Sequence, residues 1–148
     1  MLARMHKHRL RLLLPTLALA LGLAPPVPAR ADMMTVCAPE IARFCADVAR
    51  GRGRIAACLA GRSNAISAGC LGEVRAASNG RLVPGEVRRI FDPSLRARLP
   101  QSCTAAAASL CPGVPLGDGR IFACLYGRSD RVSQTCNNES QAALRQAR

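Results

Sequence analysis

Eight cysteines stand at positions 37, 45, 58, 70, 103, 111, 124 and 136, and within each group of four their spacings run 8, 13 and 12. Two chemistries use thiols in such numbers: thiolates bind zinc or copper(I), and oxidised pairs form disulfides. Structural zinc sites usually take two ligands from a tight C-x2–4-C turn, and no two cysteines here are that close. An even count at regular spacing in an exported chain reads as a disulfide framework. Disulfides are therefore the leading expectation, and a thiolate zinc or copper site is the alternative. No resident cofactor is expected.

The remaining chemistry-bearing residues are few. The only histidines, His6 and His8, fall in an N-terminal segment that reads as an export signal. Beyond it there is no imidazole for a Ser–His or Cys–His nucleophile or for near-neutral proton transfer. The two cysteine groups are copies at a constant offset of 66, with 16 of 34 positions identical between residues 37–70 and 103–136. Their carboxylates do not recur. Asp47 aligns with Gly113 and Asp118 with Arg52, and only Glu73 and Glu139 match. A chain without a repeated catalytic set is not expected to be an enzyme. Four cations do recur, as Arg54 with Arg120 and Arg62 with Arg128. These arginines are the candidates for binding an anionic ligand.

The elements that would position these residues read as helices. Cys37, Ile41, Phe44 and Cys45 share one helical face, and the second copy keeps it as Cys103, Ala107, Leu110 and Cys111, with Thr104 as N-cap. After a glycine-bearing turn at Gly51 and Gly53, a second helix carries Ile55, Cys58 and Leu59 and stops at Gly61, read as a C-terminal glycine. Ser67 caps a third helix with Cys70, Leu71 and Val74, and Ile66 with Leu71 is placed as a hydrophobic staple. Asn137 replaces Leu71 in the second copy, which removes that staple. Residues 79–100 form a connector with two short helices, one from Pro84 and one from Asp92-Pro93. Its Val87, Ile90, Phe91, Leu95 and Leu99 are expected to pack between the copies.

Thirty-four residues rich in alanine bury too little apolar surface to fold alone, so cross-links are needed. A helix from 37 to 45 separates its end cysteines by about 12 Å, beyond the ~7 Å reach of a bridge. An antiparallel hairpin then favours nested pairs: Cys45–Cys58 inside Cys37–Cys70, and Cys111–Cys124 inside Cys103–Cys136.

The chain ends set the compartment. Arg4, Lys7, Arg9 and Arg11 precede the apolar run 12–24, and the following PPVPARA ends in the small–x–small pattern Ala29-Arg30-Ala31. That is the pattern of a Sec-type signal peptide cleaved after Ala31, with a run shorter than the ~20 residues of a membrane span. Residues 32–148 hold 16 arginines, no lysine and nine acids, a net charge of +7 against +12 for the whole chain. The arginines are scattered rather than clustered. One tyrosine, three phenylalanines and no tryptophan leave little to stack on bases, which argues against nucleic acid.

The motif of Cys37, a helix ending in Cys45, Gly51 and Gly53, Cys58-Leu59 and Ser67-x-x-Cys70, repeated in the second copy, resembles a known family. This is the cysteine-rich repeat family typified by the cysteine-rich fibroblast growth factor receptor, also described as Golgi apparatus protein and E-selectin ligand. The resemblance implies an all-helical, disulfide-held repeat that binds secreted or surface molecules, here in a short bacterial exported member. The long array and membrane span of animal members have no counterpart in this chain.

The expectation is an all-α fold of two tandem disulfide-held helical-hairpin repeats joined by short helices. Its parts are a signal peptide at 1–31, repeat one at 32–78, a connector at 79–100 and repeat two at 101–148. The expected role is a non-enzymatic binding or scaffold module, periplasmic or secreted. Its partner would be an envelope or extracellular protein or an anionic glycan, without nucleic acid and without stable membrane insertion after signal cleavage.

Overall fold

The computed structural model describes residues 32–80, 85–92, 95–117 and 119–147. The export signal and its cleavage site, the helix starts at Pro84 and Pro93, and the side chain of Val87 lie outside the described residues. Within them the secondary structure is entirely helical, with four disulfides and no free cysteine.

Two eight-residue helices form the centre: α3 (Arg54–Gly61) and α7 (Arg120–Gly127). In α3 every residue from Ile55 to Gly61 is buried, and in α7 all are buried from Ile121 to Gly127 except Tyr126. A short helix covered on nearly all sides must be surrounded by other elements. Each centre helix also packs on the other. An added Cβ at Gly61 would lie 3.0 Å from the Arg120 carbonyl oxygen and 3.1 Å from the Cys124 amide nitrogen. An added Cβ at Gly127 would lie 3.1 Å from both the Arg54 carbonyl oxygen and the Cys58 amide nitrogen. The C-terminal end of each helix thus rests on the N-terminal turn of the other, an antiparallel and reciprocal crossing.

This reassigns Gly61. It is the last helical residue rather than a glycine beyond the helix, Arg62 is the C-cap at φ −106°, and the missing side chain serves helix–helix approach. Left-handed glycines occur instead at the helix starts: Gly53 (φ 72°) and Gly119 (φ 70°) are the N-caps of α3 and α7.

The outer helices are tied to this pair by sulfur. α1 (Met33–Val36), not anticipated from the sequence, starts at Asp32, whose side chain accepts from the Thr35 N–H. α2 (Ala38–Phe44) runs between Cys37 and Cys45. Cys45 is bonded to Cys58 on α3, and Cys37 to Cys70 on α4 (Ala68–Ser78), with Cα separations of 6.1 and 4.9 Å. Ser67 caps α4 by accepting from the Cys70 N–H.

The connector contributes α5 (Gly85–Arg88) and a 3-10 turn at Arg89–Phe91. The second expected connector helix is absent from the described residues, because 95–100 are non-helical. Leu95 is drawn into the core, in contact with Gly119, and Pro100 keeps Leu99 out of the helical region. Ile90 and Leu95 are buried, and Phe91 and Leu99 pack against the core.

The second cysteine group opens with a 3-10 turn, Gln101–Cys103, before α6 (Thr104–Leu110). Thr104 therefore lies inside the helix. Cys103 stands at the cap position, and no side chain caps this end. Cys111 is bonded to Cys124 on α7, and Cys103 to Cys136 on α8 (Gln134–Gln146). Ser133 caps α8 by accepting from the Cys136 N–H. Asn137, in place of the staple leucine, donates from Nδ2 to the Ser129 and Val132 carbonyls. A polar brace holds this turn. At the far end of α8, the Arg89 guanidinium donates to the carbonyls of Leu144, Arg145 and Ala147, a cation at the negative helix terminus.

Candidate functional site

The recurring arginines, read from the sequence as anion binders, meet different fates. Arg54 folds back on its own turn, donating from Nε to the Ala49 carbonyl (3.0 Å) and from Nη2 to the Arg50 carbonyl (2.8 Å). Those bonds close the loop 49–54, in which Gly51, Arg52 and Gly53 all have positive φ. Arg120 donates from Nε to the Gly117 carbonyl in the corresponding turn.

Arg128 is only 6% exposed, with its head between the two cysteine groups. Nε and Nη2 form a fork on the Asp47 carboxylate, at 3.2 and 2.9 Å. Nη2 also donates to the Phe44 carbonyl at 3.0 Å, and Nη1 lies 3.6 and 3.5 Å from the sulfurs of Cys58 and Cys124. A buried guanidinium needs a countercharge and hydrogen-bond acceptors at once, and this one has both. Arg131 adds a second cation to the same carboxylate. Hydrogen bonding from Arg128 holds the Asp47 carboxyl below its ordinary range, against the opposing effect of burial.

Arg62, the residue equivalent to Arg128, reaches the other way and pairs with no acid among the described residues. Its Nη2 donates to the Pro112 carbonyl at 2.8 Å. Its Nη1 faces Gly113, the position that aligns with Asp47, at 3.6 Å from where a Cβ would stand. Its guanidinium carbon lies 5.5 Å from the centroid of the Phe44 ring, and that of Arg43 lies 4.8 Å from the same ring. Desolvation, and then the nearby charge of Arg128, push the Arg62 pKa below its ordinary value. Half-buried Arg62, exposed Arg43 and the ring they share form a cationic face in which neither arginine has a carboxylate partner among the described residues.

Comparison with protein-family models, with curated proteins and with solved structures gives no match. The chemistry of this face rests on its geometry. All eight cysteines are paired in disulfides, and a paired sulfur is not a thiolate ligand for zinc or copper. Among the described residues no helix is long and apolar enough to cross a membrane.

Arg43, Phe44 and Asp47 were not singled out from the sequence as site residues. Asp47 had been set aside because it does not recur. That failure to recur is the signal: among the described residues one copy pairs its crossing arginine with an acid and the other does not.

Proposed function

We propose that the protein is a non-catalytic binding module of the cell envelope, exported by its N-terminal signal. In this reading the two cysteine groups are tandem units of one disulfide-held helical-hairpin repeat, of the cysteine-rich repeat kind that the sequence resembles. The Arg43–Phe44–Arg62 face meets an anionic glycan. Four disulfides support the oxidising compartment. The observation that carries the binding role is Arg62: a partly desolvated guanidinium with acceptor-seeking donors and no acid beside it, in a chain of net positive charge.

Salt elution from immobilised polygalacturonate tests the reading. Arg62→Ala and Arg43→Ala should each elute at lower salt than the parent, and the double variant at lower salt still. Arg54→Ala should elute with the parent apart from the small effect of one lost charge. Elution of Arg62→Ala together with Arg54→Ala would overturn the assignment.

A further inference from the structure

One donor at the crossing of α3 and α7 meets sulfur instead of oxygen. Arg128 commits Nε and Nη2 to the Asp47 carboxylate and the Phe44 carbonyl. Its Nη1 lies 3.6 Å from the Cys58 sulfur and 3.5 Å from that of Cys124, with no oxygen acceptor among the described residues. These sulfurs belong to different bridges, Cys45–Cys58 and Cys111–Cys124. A bonded sulfur is a weak hydrogen-bond acceptor. A thiolate in the same place is a stronger one, and it carries the charge that a guanidinium favours.

The surrounding charges add to this preference. Arg128 and Arg131 bring two cations to one carboxylate, Asp47. Arg62 is near enough that, after desolvation, the charge of Arg128 lowers its pKa. Among the described residues the crossing therefore holds more positive than negative charge, and a thiolate formed there offsets the excess. The outer bridges have different neighbours. The sulfurs of Cys103 and Cys136 meet the Ser102 and Ser140 hydroxyls, and Ser102 donates to the Glu139 carboxylate. All four outer cysteines are 0% exposed. Cys111 is 3% exposed and precedes exposed Pro112 and Gly113, and Cys45 precedes exposed Ala46 and Asp47.

We propose that the two inner bridges form a thiol–disulfide exchange site for a dithiol reductant, with Arg128 stabilising the thiolate released on Cys58 or Cys124. The reductant's thiolate attacks the sulfur of Cys45 or Cys111 and forms a mixed disulfide. The electron pair of the broken S–S bond leaves on Cys58 or Cys124, beside Nη1. The reductant's second thiol then displaces Cys45 or Cys111. The protein has gained two electrons and one proton, the other proton passes to solvent, and the dithiol has become a disulfide. One guanidinium serves two sulfurs. The first thiolate takes up its charge, and the second bridge is then no longer favoured, so one inner bridge opens at a time.

The test equilibrates the oxidised protein in mixtures of reduced and oxidised dithiothreitol, traps free thiols by alkylation and locates them by peptide mass spectrometry. The first thiols should appear at one inner pair per molecule, with both outer bridges closed. Arg128→Met should need about a tenfold higher ratio of reduced to oxidised reagent to open that pair, the effect of a thiolate pKa raised by one unit. This gap should close in acid, where the released thiol is protonated in both proteins. Asp47→Asn keeps the guanidinium and removes its countercharge, and should need a lower ratio than the parent. A purely structural role for Arg128 predicts the opposite direction for Arg128→Met, because loosened packing eases reduction. Outer bridges opening first, all four opening together, or Arg128→Met opening at or below the parent's ratio would each overturn the proposal.

Discussion

Replacing Gly127 with alanine sets two effects of opposite sign against each other. Alanine is the better helix former, by up to about 1 kcal/mol in a helix interior, and Gly127 is the last residue of α7, where less of that gain is realised. Against it stands the new methyl, 3.0 Å from the Cys58 Cβ and 3.1 Å from both the Cys58 amide nitrogen and the Arg54 carbonyl oxygen. Contacts at 3.0–3.1 Å are tighter than ordinary van der Waals spacing, so the helices must give by a few tenths of an ångström. Two of the three atoms are backbone and cannot rotate away. Each helix is also held from outside, α3 through Cys45–Cys58 and α7 through Cys111–Cys124. Overpacking of this kind costs about 1–3 kcal/mol, and we expect a net loss of about 1–2 kcal/mol after the propensity gain.

The assay is urea unfolding with the disulfides intact, where a lower midpoint at unchanged slope reports lost stability. Gly72→Ala is the internal control. Gly72 lies in the middle of α4, is exposed, and an added Cβ would meet nothing within 4 Å. That variant should gain about 0.5–1 kcal/mol. Gly61→Ala should resemble Gly127→Ala, and the double variant should lose less than the sum, because the first separation relieves part of the second clash. A midpoint for Gly127→Ala at or above that of the parent would refute the reciprocal crossing.

Acid sensitivity should concentrate in two carboxylates. Hydrogen bonding from Arg128 lowers the pKa of Asp47, and hydrogen bonding from Ser67 lowers that of Glu40. Groups with a lowered folded pKa contribute stability above their unfolded pKa and lose it as pH falls through the folded value. Asp47→Asn and Glu40→Gln should therefore each flatten the acid limb of a stability–pH profile, and an unchanged limb counts against the pairing. Replacing Cys45 and Cys58 together with alanine opens the inner loop of the first group, at about 3 kcal/mol in the chain-entropy model. Thermal unfolding should then fall by some 10 °C or more for a domain of this size, and a shift of only a degree or two would refute the estimate. Arg89→Met removes the donors to the carbonyls at the end of α8. Amide exchange of the last turn of α8 should rise with little change in α3, and equal protection would show that the cap is dispensable.

Much of the helical layout was legible because it rests on local chemistry. Ser67 and Ser133 cap because a hydroxyl before a helix meets free N–H groups, whatever lies around it. Gly53 and Gly119 mark turns because their backbone is left-handed. What could not be read depends on distant parts of the chain. A glycine at a helix end looks the same whether it turns the chain or admits another helix, and only the approach of Cys124 and Cys58 distinguishes Gly61 and Gly127 from capping glycines. Thr104 looks like a cap in isolation, yet a 3-10 turn occupies the place where the helix was expected to start. Leu95 belongs to no helix because it fills the space over Gly119.

The arginines carry this furthest. Sequence identity of Arg62 and Arg128 suggested one shared role, but a charged side chain takes its role from the groups it faces. Arg128 faces Asp47 and becomes a buried tie between the two cysteine groups; Arg62 faces Gly113 and has no carboxylate partner among the described residues. In a duplicated chain, conserved positions between copies are those the scaffold needs twice. A position that has diverged is released from that need, and there a crossing arginine can lose its acid. The proposed binding role is therefore best tested where the copies disagree, at Gly113 beside Arg62.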